Sequence, residues 1–144
     1  MSTGQQTSVA APVIVTHTRQ VEQAGAELRQ RFRGRVQLFE PMSRHTTFRI
    51  GGPADLLARP LDLDDLTEGL AFAKAKGLPV KVIGNGSNLL VSDRGIPGLV
   101  IRLAPRFSGA QWDEEGVTAG AGVALARLVR DSAERGLSGL ESTV

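Results

Sequence analysis

Cysteine and tyrosine are absent from this 144-residue chain, and tryptophan occurs once. Without cysteine there can be no disulfide framework, thiolate zinc site, iron–sulfur cluster or cysteine nucleophile. Aromatic residues make up 4%, too few for the stacked-ring surface that grips single-stranded nucleic acid. No run of 18 or more apolar residues occurs, so no segment reads as a membrane span. The opening MSTGQQTSVAAPVIVTHTRQ lacks the basic leader and long apolar stretch of a secretory signal. Together these absences predict a soluble, cytoplasmic protein.

What is present suits a folded domain. Hydrophobic residues at 41% and charged residues at 22% sit near the globular average, and the length allows one core burying roughly two-thirds of the unfolded surface. Net charge is +2 but unevenly spread: residues 1–50 carry seven Arg against three Glu, whereas residues 51–144 carry ten basic and twelve acidic residues. The pI of 9.7 therefore reflects a small arginine excess without a basic stripe, and no nucleic-acid partner is expected. His17 and His45 lie far apart with no second ligand at i+4, so no metal site is expected and each reads as a surface or loop histidine.

Residues 1–18 read as a disordered lead-in, the first eight being mostly Gly, Ser, Thr and Gln. Val21, Ala24, Leu28 and Phe32 recur at helical spacing over Gln20–Phe32, and Gly34 ends that helix. Val36–Phe39 is a short strand or an extended link. Thr46–Ile50 is β-branched and aromatic, Gly51-Gly52-Pro53 punctuates, and Ala54–Arg59 resumes as a strand. Asp62 is an N-cap, followed by a helix with Leu63, Leu66, Leu70 and Ala73 as its buried stripe and Gly77 as its C-cap. Pro79–Ile83 then reads as a short buried strand, completing a parallel strand–helix–strand crossover. Leu89–Val91 and Leu99–Leu103 read as further strands, and Phe107–Trp112 with Val117–Ala119 as a hairpin. A last helix spans Val123–Glu134, with Leu125, Leu128, Val129 and Ala133 on its apolar side and Gly136 at its end.

The chemistry concentrates where the 80–83 strand runs into Gly84-Asn85-Gly86-Ser87-Asn88. Two glycines allow positive φ and close approach of a ligand, and successive N–H groups turned into one concavity attract anionic oxygens. No Lys follows for a Walker loop, and no third Gly and immediate helix follow for the dinucleotide fingerprint. A loop-built phosphate cradle therefore fits better than a helix-assisted one, and a plain tight turn is the competing reading. Gly120-Ala121-Gly122 either approaches a ligand or lets strand and helix pack closely. Asp93 reads as a turn-former, Trp112 as packing, and Glu141 as a lone carboxylate with no acid–base partner.

Three ordered blocks together resemble one family. Thr46-Thr47-Phe48-Arg49-Ile50-Gly51-Gly52-Pro53-Ala54 is similar to its opening signature. Ile83-Gly84-Asn85-Gly86-Ser87-Asn88-Leu89-Leu90, with Asp93, Gly95, Gly98 and Val100-Ile101, resembles its flavin-phosphate loop. Ala119-Gly120-Ala121-Gly122 and Gly136-Leu137-Ser138-Gly139-Leu140-Glu141 resemble its third block. The family is the UDP-N-acetylenolpyruvoylglucosamine reductases, flavoenzymes of peptidoglycan precursor synthesis.

The resemblance implies an α+β fold: an FAD-binding domain of two α/β lobes, of the vanillyl-alcohol-oxidase type, truncated in the second lobe. It implies a division into a tail (1–18), a helix and link (19–45), a first lobe (46–104) and the start of a second (105–144). Gly84, Asn85, Gly86, Ser87, Asn88 and Leu89 would hold the FAD pyrophosphate, and Gly120 and Gly122 would face the cofactor. NADPH would be the hydride donor and a UDP-sugar the substrate. The family continues past the Gly-Leu-Glu block with a Gly-Ile-Pro-Gly-type stretch. Its proton donor, catalytic carboxylate and substrate-facing arginine match no residue here, so no catalytic residue is assigned. A chain stopping at Val144 is expected to leave sheet edges open, dissolve poorly and retain little flavin. Two alternatives are another FAD-linked oxidoreductase of the same fold and a non-catalytic nucleotide-binding module.

Overall fold

The computed structural model describes residues 11–140 apart from 104 and 115, with the side chains of 11–14 left out. The Gly/Ser/Thr/Gln lead-in and Glu141 lie outside the described residues. Helix α1 (Ala11–Arg31) reaches further toward the N-terminus than its periodic window and takes in residues 11–18, which were expected in the tail. It lays Val21 and Leu28, followed by Phe32, into the main core. Strand β1 (Arg35–Pro41) realises the strand reading of its segment and pairs antiparallel with β2 (Pro53–Arg59), Arg35 opposite Arg59 and Glu40 opposite Ala54.

The main sheet has the order β1-β2-β4-β3, with β4 (Ile96–Arg102) parallel to both β2 and β3 (Val80–Ile83). Helix α2 (Leu63–Lys76) makes the expected crossover from β2 to β3, and β4 inserts between those two strands. That insertion leaves β3 at the sheet edge. It is therefore not the buried strand expected: of its residues only Ile83 is buried. The β2–β4 register slips between Ala54 and Leu56, and the Asp55 carboxylate fills the irregularity by accepting the Gly98 N–H at 2.9 Å.

The ends of α2 follow the sequence closely. Asp62 accepts the Asp65 N–H at 3.0 Å, and Gly77 closes the helix at φ 64°. Its buried face is rotated from the expected stripe: Asp65, Gly69, Phe72 and Ala73 are buried, whereas Leu63 and Leu70 are 67% and 41% exposed. The rotation brings the Asp65 carboxylate to the N–H groups of Arg33 (2.9 Å) and Leu61 (3.0 Å). It also sets Gly69 against the Phe32 ring.

Further expectations are corrected. Thr46–Ile50 is a turn, not a strand: Thr46 Oγ1 donates to the Ile50 carbonyl at 2.9 Å and Arg49 sits at φ 54°. Leu89–Val91 is irregular, because the segment between β3 and β4 folds back against Gly51 and Gly52, with the Gly52 N–H on the Ser92 carbonyl. The turn side chain there is Ser92, which accepts the Arg94 N–H, rather than Asp93. Farther on, β5 (Ala110–Trp112) and β6 (Val117–Ala119) form the hairpin, shorter than expected because 107–109 is turn and loop. Helix α3 (Leu125–Glu134) leaves Leu125 48% exposed and Ala133 exposed, while Ser132 is buried. Periodicity decides which residues share a face, but burial needs a covering layer. The Arg135 guanidinium stacks 4.9 Å over Trp112, supporting the packing reading of that ring.

Asp65 is 2% exposed. Burial alone would raise its carboxyl pKa, but N–H groups of Leu61, Arg33 and Gly34 outweigh that and hold it below the usual aspartate value. Its contribution is therefore present above about pH 4 and lost as the pH falls through the folded value. Asp65→Asn turns an amide donor toward one of these N–H groups and should cost about 2 kcal/mol in urea denaturation at neutral pH. The difference from wild type should shrink in acid.

Candidate functional site: a glycine–asparagine loop facing a helix N-terminus

Strand β3 ends as the Ile83 carbonyl accepts the Leu103 N–H at 3.0 Å, and the chain then leaves the sheet edge. Gly86 takes φ 72°, and a Cβ there would overlap the His45 carbonyl. The Thr47 N–H donates to the Gly86 carbonyl at 3.2 Å. The glycine is thus demanded by protein backbone packed behind the loop, leaving the other side open. Asn85 reaches across with its side-chain amide toward the Gly122 carbonyl, a long 3.5 Å contact.

On that open side lies a groove of about 670 Å³, lined by residues 82–89 and by Val123, Ala124, Leu125 and Ala126. The volume falls within the usual range for small-molecule sites. All six loop residues proposed from the sequence, Gly84 through Leu89, line it. Opposite them stands the N-terminus of α3. Its cap residue, Ala124, offers no side-chain hydrogen bond, and the Ala124 carbonyl takes the N–H groups of Arg127 and Leu128. Among the described residues, the N–H groups of Leu125 and Ala126 and those of Asn85 through Leu89 make no hydrogen bond within the protein.

The structure thus sets a helix N-terminus across from the loop, an arrangement the sequence reading does not anticipate. No helix follows the loop in sequence, but one arrives in space from beyond the hairpin. Nothing near residue 84 signals this; the only cue in the sequence is the start of an amphipathic run after Gly120-Ala121-Gly122. Those glycines are closely packed against the segment before the hairpin. A Cβ on Gly120 would overlap the Phe107 carbonyl and one on Gly122 would lie 3.1 Å from it, and neither residue lines the groove. The N–H groups of Gly120 and Gly122 bond the carbonyls of Gly109 and Phe107 at 2.8 and 2.9 Å, which seats the segment entering α3.

His17 matches its reading as a surface residue, and His45 is a loop residue but a buried one. His17 is half-exposed and contacts Asp55 at 3.1 Å, joining α1 to β2. His45 is not a surface residue: it is 5% exposed, with Glu40 at 3.0 Å from Nε2 and Arg102 at 2.8 Å from Nδ1. Among the described residues no group of three His, Cys, Asp or Glu side chains could hold a metal ion. No described helix is long and apolar enough to cross a membrane.

Comparison with known proteins places this geometry. The family of FAD binding domains matches residues 54–142. UDP-N-acetylenolpyruvoylglucosamine reductase of Heliobacterium modesticaldum is 53% identical over 110 residues, covering 76% of this chain and 35% of the relative. The solved reductase of that name from Thermus caldophilus superposes with a TM-score of 0.56 at 40% identity, covering 78% of this chain and 37% of that one. A solved 6-hydroxy-D-nicotine oxidase from Arthrobacter nicotinovorans gives 0.55 at 25% identity, covering 72% and 24%. The chain thus spans little over a third of the reductases it matches, and its α+β fold is that of FAD-binding enzymes. By this match over more than half its length the chain belongs to the FAD-binding domain family, and its relatives there are UDP-N-acetylenolpyruvoylglucosamine reductases.

Proposed function

We propose that this chain is the FAD-binding portion of an NADPH-dependent reductase that converts UDP-N-acetylglucosamine enolpyruvate to UDP-N-acetylmuramate. The observation that carries the reading is the groove with unspent N–H groups on both walls and no carboxylate in its lining. These donors fit a diphosphate: main-chain N–H groups bond anionic oxygens well, and a helix N-terminus adds favourable partial charge. Gly84, Asn85, Gly86, Ser87, Asn88 and Leu89 would hold the FAD pyrophosphate, with Leu125 and Ala126 facing them. Gly120 and Gly122 would support the site from behind, by positioning α3.

On this reading residues 46–104 are the first lobe and residues 105–144 begin the second. Bound FAD would supply the electron relay between NADPH and the enolpyruvyl group. The protein's share within this chain is to bind and orient that cofactor. The UDP-sugar site, the proton donor and the catalytic carboxylate are assigned to no residue here, so the chain alone should turn no substrate over, and it should hold FAD weakly enough that binding is read by titration and not by retained flavin.

Titration with FAD, followed by flavin fluorescence, should give saturable binding. Adding NADPH and the enolpyruvyl substrate should give no product. Absence of FAD affinity would overturn the proposal. Ala126→Asp puts an anion beside the pyrophosphate and should weaken FAD binding about tenfold. Its melting temperature should hold or rise, because a carboxylate suits the first turn of a helix. Gly86→Val should lower both affinity and melting temperature, since its side chain meets the His45 carbonyl in a left-handed backbone conformation.

A further inference from the structure

His45 occupies the turn just after a short 3-10 helix (Met42–Arg44), and it is buried, with its imidazole between Glu40 of β1 and Arg102 of β4. A guanidinium carries only donors, so Nδ1 accepts from Arg102 at 2.8 Å. The ring proton then resides on Nε2 and is donated to Glu40 at 3.0 Å. This arrangement exists only for the neutral imidazole. Arg102 lies opposite Ile83, the last residue of β3 before the groove loop. The main chain of the same turn supports that loop, through the His45 carbonyl behind Gly86 and the Thr47 N–H on the Gly86 carbonyl.

We propose that His45 is a positioning residue for the groove: its neutral imidazole, bridging Glu40 and Arg102, holds the 45–47 turn against Gly86 and so aims the N–H groups of 85–89. The inference rests on the FAD reading for its ligand, but not for its geometry.

The charges facing the ring come from every neighbouring element. Glu40 belongs to β1, Arg59 to β2 and Arg102 to β4, while Arg44, the last residue of the 3-10 helix, approaches Glu40 at 3.8 Å. Burial pushes the His45 pKa below its ordinary value, the hydrogen bond to Glu40 pulls upward, and Arg102 and Arg59 push down again. Since the folded pKa is depressed, the stability tied to neutral His45 is complete above about 6.5 and is lost as the pH falls from there through the folded value. Protonation would set two donors face to face and break the bond to Arg102. FAD carries the same charge throughout this range, because its diphosphate stays ionised and its rings do not titrate there.

FAD affinity of the whole chain is measured by fluorescence titration at about pH 8 and at an acid pH stepped down from about 6.5 to about 4.5, with hydrogen exchange of the Thr47 amide followed in parallel. Wild type should lose affinity about tenfold on acidification and lose protection at Thr47. His45→Gln can accept from Arg102 and donate to Glu40 without titrating. It should bind within about twofold of wild type at the higher pH and show no pH dependence. His45→Ala should bind about tenfold more weakly at both. The proposal is overturned if His45→Gln keeps the wild-type pH dependence, or if His45→Ala matches wild type. Should His45→Ala not fold, wild type and His45→Gln decide between these outcomes. Should no variant bind FAD, the cofactor reading fails, and Thr47 exchange alone decides the role of His45.

Discussion

The candidate site depends on one backbone contact, in which the 45–47 turn rests against Gly86. Strand β3 is an edge strand with three of four residues exposed, so the sheet by itself offers little to fix the loop leaving it. What fixes the loop is main chain against main chain: the His45 carbonyl fills the space of a missing Cβ, and Thr47 donates to the Gly86 carbonyl. With its back occupied in this way, the loop has its open side on the groove. The contact also explains why the two motifs occur together. The Thr46-Thr47 block is the rear support of the glycine–asparagine block.

On the proposed reading both walls of the groove would contribute to anion binding, but unequally. A helix N-terminus is worth about 0.3–1 kcal/mol toward an anion at an exposed site. A hydrogen bond to a charged group is worth about 1.5–3 kcal/mol. Several N–H groups of 85–89 therefore outweigh the dipole of a ten-residue helix, and α3 acts mainly by placing two further donors opposite them. On that reading a loop with no helix behind it in sequence would still serve as a cradle.

The legible parts of the fold are those whose determinants are local. Asp62 and Gly77 mark the ends of α2 because a cap is made by residues within one turn of it. The loop 84–89 is legible because glycine and asparagine at a strand end restrict what the backbone can do. The exposure of β3 is not legible, since it depends on β4 entering the sheet beside it, and nothing inside Val80–Ile83 encodes that choice. Leu63 and Leu70 mislead for a related reason. Helical spacing fits their stripe, but a buried carboxylate collecting the Leu61 and Arg33 N–H groups turns another face inward. Likewise α3 could not be linked to the loop from sequence, because the hairpin and Gly120 decide where its N-terminus arrives.

The polar cluster beneath the loop invites the question of why the protein does not use apolar residues there. Buried charges cost more in desolvation than their attraction returns unless the geometry is good, so stability alone is a poor reason to keep Glu40, Arg59 and Arg102 together. The balance is visibly strained: Nε of both arginines is buried without a partner among the described residues, and Arg102 and Arg35 add to burial in lowering the Arg59 pKa. A cationic side chain at position 45 would aggravate this, and an apolar one would strand the Glu40 carboxylate. A neutral imidazole can accept from a guanidinium at one ring atom and donate to a carboxylate at the other, as a glutamine amide can on a longer, more flexible chain. The imidazole is rigid, so its two bonds set the direction of its own main chain. The demand made by a crowded set of charges and the demand made by a loop needing firm support are thus met by the same residue.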